Sequence, residues 1–361
     1  MSRSTKPTLE RIPWLDHVRA IAILLVVANH TIERTYSLTA AAMAQYSFQG
    51  RLFALSIFTL GRMGVPLFFF LSGYLLLDRP YDRERTRLFY RRNVGGLLVT
   101  TELWICLYNL FNRWFYDRPL ELGTLVKNLL FLQNTAMSHM WFLPALLGIY
   151  LFLPLVANGL HRMDPRLLHL PMLVVFCFLY VVPECNVLLK IGGKEIWTPP
   201  LDVSFSGGTY GFYLLVGYLV KKGTFTRWPV WALGTVGATG FLFTVLLQMA
   251  SYARSTVQDV HYNVWYSNAT LFLGALAIFL LFSKGHRSSP ILSNLSQCSF
   301  GIYLLHNPIN LVLFRVLSFP RRPVQFFVIF LFTLALAWLL TGILQRQRKI
   351  SQLFFFRKSD P

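Results

Sequence analysis

Residues 16–33 read DHVRAIAILLVVANHTIE, a stretch apolar enough to cross a membrane except for ionisable side chains that fall in register. Arg19 and His30 are eleven residues apart, about three helical turns, so both project from the same side of a helix. Asp16 lies one turn before Arg19, and Glu33 one turn after His30. One helix face would therefore carry a carboxylate and a guanidinium at its base and, ~16 Å higher, an imidazole and a second carboxylate. Ionisable groups are costly in hydrocarbon, so this face is expected to line a functional site. A neutral His30 oriented by Glu33 could act as a general base toward a hydroxyl or as a transient acyl carrier. Arg19, at the other end, suits an anionic ligand, with Asp16 beside it.

Other apolar stretches supply further candidates. In RLFALSIFTLGRMGVPLFFFLSGYLLL, Gly61, Gly64 and Pro66 are expected to interrupt a helix midway, with Arg62 at the break. Ser72, followed by Gly73, reads as a packing contact. Glu102 is expected to pair with Arg62 or Arg19, or else to relay protons. In CSFGIYLLHNPIN, the residues Ser299, Tyr303 and His306 share one helix face. Stacked along an axis they make a poor nucleophilic triad, and they would instead hydrogen-bond a substrate or another helix. In SHMWFLPALL, Trp141 and Phe142 fit an interfacial aromatic belt, with His139 solvated at the outer interface. The loop DRPYDRERTRLFYRRN holds six arginines. Arg83, Arg87 and Arg91 would form a helical stripe, with Arg92 adjacent, suited either to cofactor phosphates or to lipid headgroups. No P-loop, HExxH, GxSxG or metal-spaced cluster occurs, so the expected site works without metal.

Membrane helices must hold these residues. Hydrophobic residues make up 55% of the 361-residue chain and charged residues 14%, against roughly 25% charged in soluble domains. The apolar runs predict an all-α polytopic membrane protein with about ten spans. They lie near 14–34, 52–77, 94–113, 140–159, 170–186, 207–220, 229–250, 264–283, 297–317 and 324–344, within one domain covering 1–361. The net charge of +19 is unevenly placed. With both termini cytoplasmic, the two tails and the even-numbered loops hold 21 Lys and Arg and the outer loops 11, with Arg19 and Arg62 inside spans. That positive-inside pattern implies membrane lipid, not nucleic acid, as the anionic partner. The basic, aromatic tail 345–361 is expected on the inner membrane surface. Residues 114–139 are too mixed for a span and read as an interfacial helix or a cap over a cavity. Cys106, Cys177, Cys185 and Cys298 lack CxxC spacing and read as small buried residues.

These segments together resemble the membrane acyltransferase 3 family. DHVRAIAILLVVANH is similar to its opening signature, in which Asp, Arg and a His eleven residues after the Arg recur. GRMGVPLFFFLSGYLL, SHMWFLPALL and CSFGIYLLHNPI resemble its later motifs, in the family's order, over residues 14 to 310. The resemblance implies a ten-helix enzyme of the bacterial inner membrane. It would use acyl-coenzyme A, usually acetyl-CoA, to O-acylate a surface polysaccharide or its lipid-linked precursor. His30 matches the family's essential histidine and Arg19 its partner arginine. The family's Arg-x-x-Arg spacing in the loop after the second span is absent here, where the arginines are 79, 83, 85, 87, 91 and 92. The form resembled is the one without an appended periplasmic domain.

The competing class is a transporter of an anionic or sugar-like solute, since intramembrane Arg19, Arg62 and Glu102 with a broken helix also suit a solute pathway. No inverted repeat supports it, because no second pair of spans matches the Gly/Pro-interrupted one.

Overall fold

The computed structural model describes residues 12–135, 137–254, 266–285 and 287–356, whose regular elements are all helical. In chain order the main helices are α1 (Pro13–Thr35), α2 (Phe48–Leu76), α3 (Arg83–Tyr116), α4 (Ser138–His161), α5 (Pro165–Ile191), α6 (Gly208–Lys221), α7 (Val230–Ala253), α8 (Ala269–Ser283), α9 (Pro290–Val316), α10 (Arg322–Leu344) and α11 (Arg348–Phe355). Among the described residues, seven are long and apolar enough to cross a membrane: α1 to α5, α7 and α10. The other three expected spans fall on α6, α8 and α9. α6 and α8 have 14 and 15 residues. α9 has 27, but buries Ser296, Ser299, His306, Asn307 and Asn310 against protein.

Local chemistry sets the helix starts. Pro13 opens α1, where a backbone N–H would lack a partner anyway. The Ser47 hydroxyl accepts the Gly50 N–H at 3.1 Å to start α2, and Asp82 accepts the Arg85 N–H at 2.7 Å to start α3. α8 is capped from outside. The Thr270 N–H donates to Glu184 of α5 at 2.9 Å, and the Thr270 hydroxyl donates to the same carboxylate.

α1 is the central helix, packed on α2, α8, α9 and α10. Its Val18, Ala20, Ala22, Ile23 and Val27 are fully buried. On its far face the Asn310 amide donates to the hydroxyls of Thr31 at 3.0 Å and Thr333 at 3.2 Å, tying α1, α9 and α10 together. The expected break in α2 spans a single residue, Met63, which separates Phe48–Arg62 from Gly64–Leu76. The glycines beside it have another purpose. A Cβ on Gly61 would lie 2.8 Å from the Asn29 Cα, and one on Gly64 would lie 2.7 Å from the Ala22 carbonyl. They bring the backbones of α1 and α2 together, which aims Arg62 at the upper end of α1.

The base of α1 and the end of α10 lie at one end of the bundle. Asp16 bonds Ser293 and Ser296 at the start of α9, and Gln345 donates to the Gln297 carbonyl at 3.4 Å. Between α3 and α4, Leu122–Leu129 forms a short helix, and residues 131–135 fold beneath it over a cavity. In the tail after α10, α11 packs on α3 and α9 with Ser351 and Phe355 buried and Arg348, Lys349, Gln352 and Leu353 exposed, and residues 357–361 lie outside the described residues.

Gly73 and Gly217 form a reciprocal crossing of α2 and α6. A Cβ on either would run into the backbone of the other helix, at Leu214 or Phe70. Gly73→Ala should therefore cost about 1–3 kcal/mol, seen as a lowered unfolding temperature in detergent. Gly148→Ala, where a Cβ meets nothing within 4 Å, should leave it unchanged. Equal melting of the two variants would contradict this packing.

Candidate active site

The upper part of α1 opens on a cavity of about 1010 Å³ lined by His30, Glu33, Arg62, His139, Trp141 and residues 131–135. Glu33 bridges two helices within it. One carboxylate oxygen lies 3.0 Å from His30 Nδ1, and the other 3.4 Å from Arg62 Nη2. Arg62 also donates to the Tyr266 hydroxyl at 3.4 Å, and its guanidinium lies over the rings of Phe58 and Tyr266 at 4.8 and 5.6 Å. The carboxylate accepts from Nδ1–H, so His30 directs its other nitrogen, Nε2, away from Glu33.

Two more histidines face His30. The ring of His306 lies 5.3 Å away and that of His139 6.0 Å away, with 5.2 Å between these two. His306 is fully buried, and its Nδ1 donates to the Tyr303 carbonyl at 2.6 Å. Its Nε2 has no partner among the described residues. His139 is held by a chain of bonds whose direction can be read. Arg34 can only donate, so the amide oxygen of Asn307 must face it. The Asn307 Nδ2 then donates to His139 Nδ1 at 2.7 Å. The Tyr108 hydroxyl gives its proton to the Leu304 carbonyl and so accepts from His139 Nε2 at 3.2 Å. His139 is thereby fixed as a neutral Nε2–H imidazole. The Tyr303 hydroxyl donates to the His139 carbonyl at 2.8 Å.

At the lower end, a second cavity of about 300 Å³ runs from Arg19 to Tyr303 and Phe142, lined also by Ser72, Ser299 and leucine, valine and phenylalanine side chains. Tyr303 and Phe142 face this passage, while His139 and Trp141 face the upper cavity, so the layer they make divides the two. Arg19 donates to the Ser296 hydroxyl at 3.4 Å, and Ser296 donates to Asp16 at 2.8 Å. Asp16, 5% exposed, lines neither cavity and braces Arg19 at 3.8 Å. Beside the passage, and sharing Leu76 and Asn93 with it, is a pocket of about 310 Å³ lined by Arg79, Arg85 and Arg92.

Of the expected face on α1, Arg19 lines the lower passage, His30 and Glu33 line the upper cavity and Asp16 lines neither, while α9 adds Ser299 and Tyr303 to the lower passage and His306 to the upper histidines. Several expectations are corrected. Arg83, Arg87 and Arg91 do not line the arginine pocket, which takes Arg79, Arg85 and Arg92 instead, although all six are exposed. Glu102 is half-buried and pairs with neither arginine, since Glu33 meets Arg62 and Asp16 meets Arg19. His139 is 2% exposed, not solvated, and Trp141 packs on Tyr210 and Tyr266 rather than on lipid. Ser72 donates to the Phe68 carbonyl one turn back in its own helix at 2.9 Å, and its side chain lines the lower passage. Sequence reasoning missed Arg34, Tyr108, Tyr266 and Asn307. For Arg34 and Asn307 a signal existed, polarity directly beside Glu33 and His306. For the tyrosines there was none, since their partners are 31 or more residues away in sequence.

The model of the acyltransferase 3 family, described as an acyltransferase domain, matches residues 12–342. The chain belongs to this family. It is 25% identical over 335 residues to the O-acetyltransferase OatA of Staphylococcus aureus (strain NCTC 8325 / PS 47), covering 82% of this chain and 50% of that protein. It is also 25% identical over 349 residues to YrhL of Bacillus subtilis (strain 168), whose name assigns it provisionally to peptidoglycan O-acetylation, covering 82% of this chain and 48% of that protein. A serine/alanine racemase of Enterococcus gallinarum is 31% identical over 139 residues, covering 37% of this chain and 18% of that protein. The chain spans about half the length of the two O-acetyltransferase relatives. No solved structure matches. Among the described residues of this family member, no group of His, Cys, Asp or Glu is arranged to hold a metal ion.

Nitrogen-15 NMR of histidine-labelled protein, with His139 assigned by its loss in His139→Gln, should report the Nε2–H tautomer for that residue. An Nδ1–H signal would contradict the Arg34–Asn307–His139–Tyr108 chain.

Proposed function

We propose that this chain is an integral-membrane O-acyltransferase. It moves an acyl group, acetyl by the names of its relatives, from acyl-coenzyme A to a hydroxyl of a cell-surface polysaccharide or its lipid-linked precursor. Its setting is the bacterial inner membrane, crossed ten times with both termini cytoplasmic. The observation that carries this reading is the His30–Glu33–Arg62 constellation in a large cavity, separated by the Tyr303 and Phe142 layer from a narrow apolar passage that begins at Arg19.

The donor reading is supported by the sequence of surfaces met from the lower end. Arg79, Arg85 and Arg92 offer cations for a phosphate-bearing head, and Arg19 stands at the start of an apolar passage of about 300 Å³. The acceptor hydroxyl reaches His30 from the upper cavity. Glu33 holds Nδ1–H, so Nε2 takes the hydroxyl proton as the oxygen attacks the thioester carbonyl. The carbon–sulfur bond then breaks, and the proton passes from His30 to the departing thiolate. Arg62 anchors Glu33, and through it sets the angle of the imidazole. His139, donating along its own chain, walls the site and fixes the ring beside His30.

The test is coenzyme A release by purified protein given acetyl-CoA and a polysaccharide acceptor. His30→Ala should lose about 1,000-fold or more in kcat, the loss of a general base plus its alignment. Arg19→Ala should act mainly on the donor KM. Full transfer by His30→Ala would overturn the assignment of the base.

A further inference from the structure

Residues 345–361 read as a surface tail, yet α11 carries its aromatic run, Phe354 to Phe356, into the bundle. Two side chains of α3 grip its backbone. The Thr100 hydroxyl donates to the Leu353 carbonyl and the Trp104 indole N–H to the Phe354 carbonyl, both at 2.8 Å. Because the acceptors are backbone carbonyls, these bonds fix the path of the segment, not the choice of its side chains. Notches receive the rings. Phe355, 3% exposed, lies beside Gly301, where a Cβ would meet Thr341 first, at 2.3 Å, and the Phe355 ring at 3.1 Å. Phe356 fills the space left by Gly96, where a Cβ would be 2.7 Å from the ring. Phe356 also sits at φ +50°, the left-handed region that bulky residues seldom adopt. Strain of this kind persists where the surroundings require it. Here it turns the last ring toward the lower passage, whose wall includes both Phe355 and Phe356 alongside Arg19, Leu75 and Leu97.

We infer that α11 is a built-in wall of the donor passage and that Phe356 is a positioning residue for the arm of the acyl donor. The inference rests on the donor reading given above. An aromatic wall touches the arm equally before and during reaction, so its loss weakens binding and spares the chemical step. Trp104 does not line the passage, but its bond holds the wall in place, so removing that bond should give the same signature from outside the cavity.

The experiment titrates free coenzyme A calorimetrically into the full chain in lipid nanodiscs and measures acetyl-CoA kinetics in parallel, for the unaltered protein, Phe356→Ala and Trp104→Phe. Both variants should raise the dissociation constant and the donor KM about tenfold, while kcat stays within about threefold. Phe356→Leu, which keeps apolar bulk, should recover most of the affinity. Unchanged coenzyme A affinity in both Phe356→Ala and Trp104→Phe overturns the wall while leaving the donor reading standing. Failure of the unaltered protein to bind coenzyme A at all overturns the donor reading, and the wall with it.

Discussion

A carboxylate far along a membrane helix must be matched by positive charge, and the arrangement around Glu33 meets that constraint in a single group. Its two oxygens meet His30 on its own helix and Arg62 on α2. Burying such charges is tolerable only when geometry and further hydrogen bonds compensate. Arg62 gains these from Tyr266 and from the faces of Phe58 and Tyr266. Everything that brings α2 to the upper end of α1 therefore serves the site. Gly61 and Gly64 are where that approach is made, since any side chain there would collide with the α1 backbone.

The two cavities follow from the same packing. α9, laid along α1, faces the lower passage with Ser299 and Tyr303 and the upper histidines with His306 and Asn307. The Tyr303 hydroxyl, bonded to the His139 carbonyl, ties the floor of one cavity to the roof of the other. On the proposed reading, the donor would approach this layer from the lower passage and the acceptor from the upper cavity.

Much of this was legible in the sequence, where physical cost concentrates the signal. Ionisable residues on one face of an apolar helix mark a site because hydrocarbon penalises them, and α1 carries that face as the spacing predicts. Among the described residues, seven of the ten expected spans coincide with helices long and apolar enough to cross a membrane, and the other three fall on α6, α8 and α9. What was not legible depends on partners distant in sequence. Nothing near Glu102 shows that Arg62 is already taken by Glu33. Nothing near His139 shows that Tyr108 and Asn307 will bury it. The arginine loop is recognisable by composition, but composition does not tell which of its arginines, Arg79, Arg85 and Arg92, line the pocket. The tail's basic, aromatic composition suits a membrane surface as well as a protein groove, and nothing near it in sequence shows that Phe356 will fill the notch at Gly96.

The central claim is that Glu33 and Arg62 act as one unit in aligning His30. A double-mutant cycle on acetyl transfer, with Glu33→Gln, Arg62→Gln and the pair together, tests it most directly. If the two residues form one unit, the double variant should be no slower than the slower single variant. Losses that multiply would show that Arg62 acts independently of Glu33 and would contradict the account.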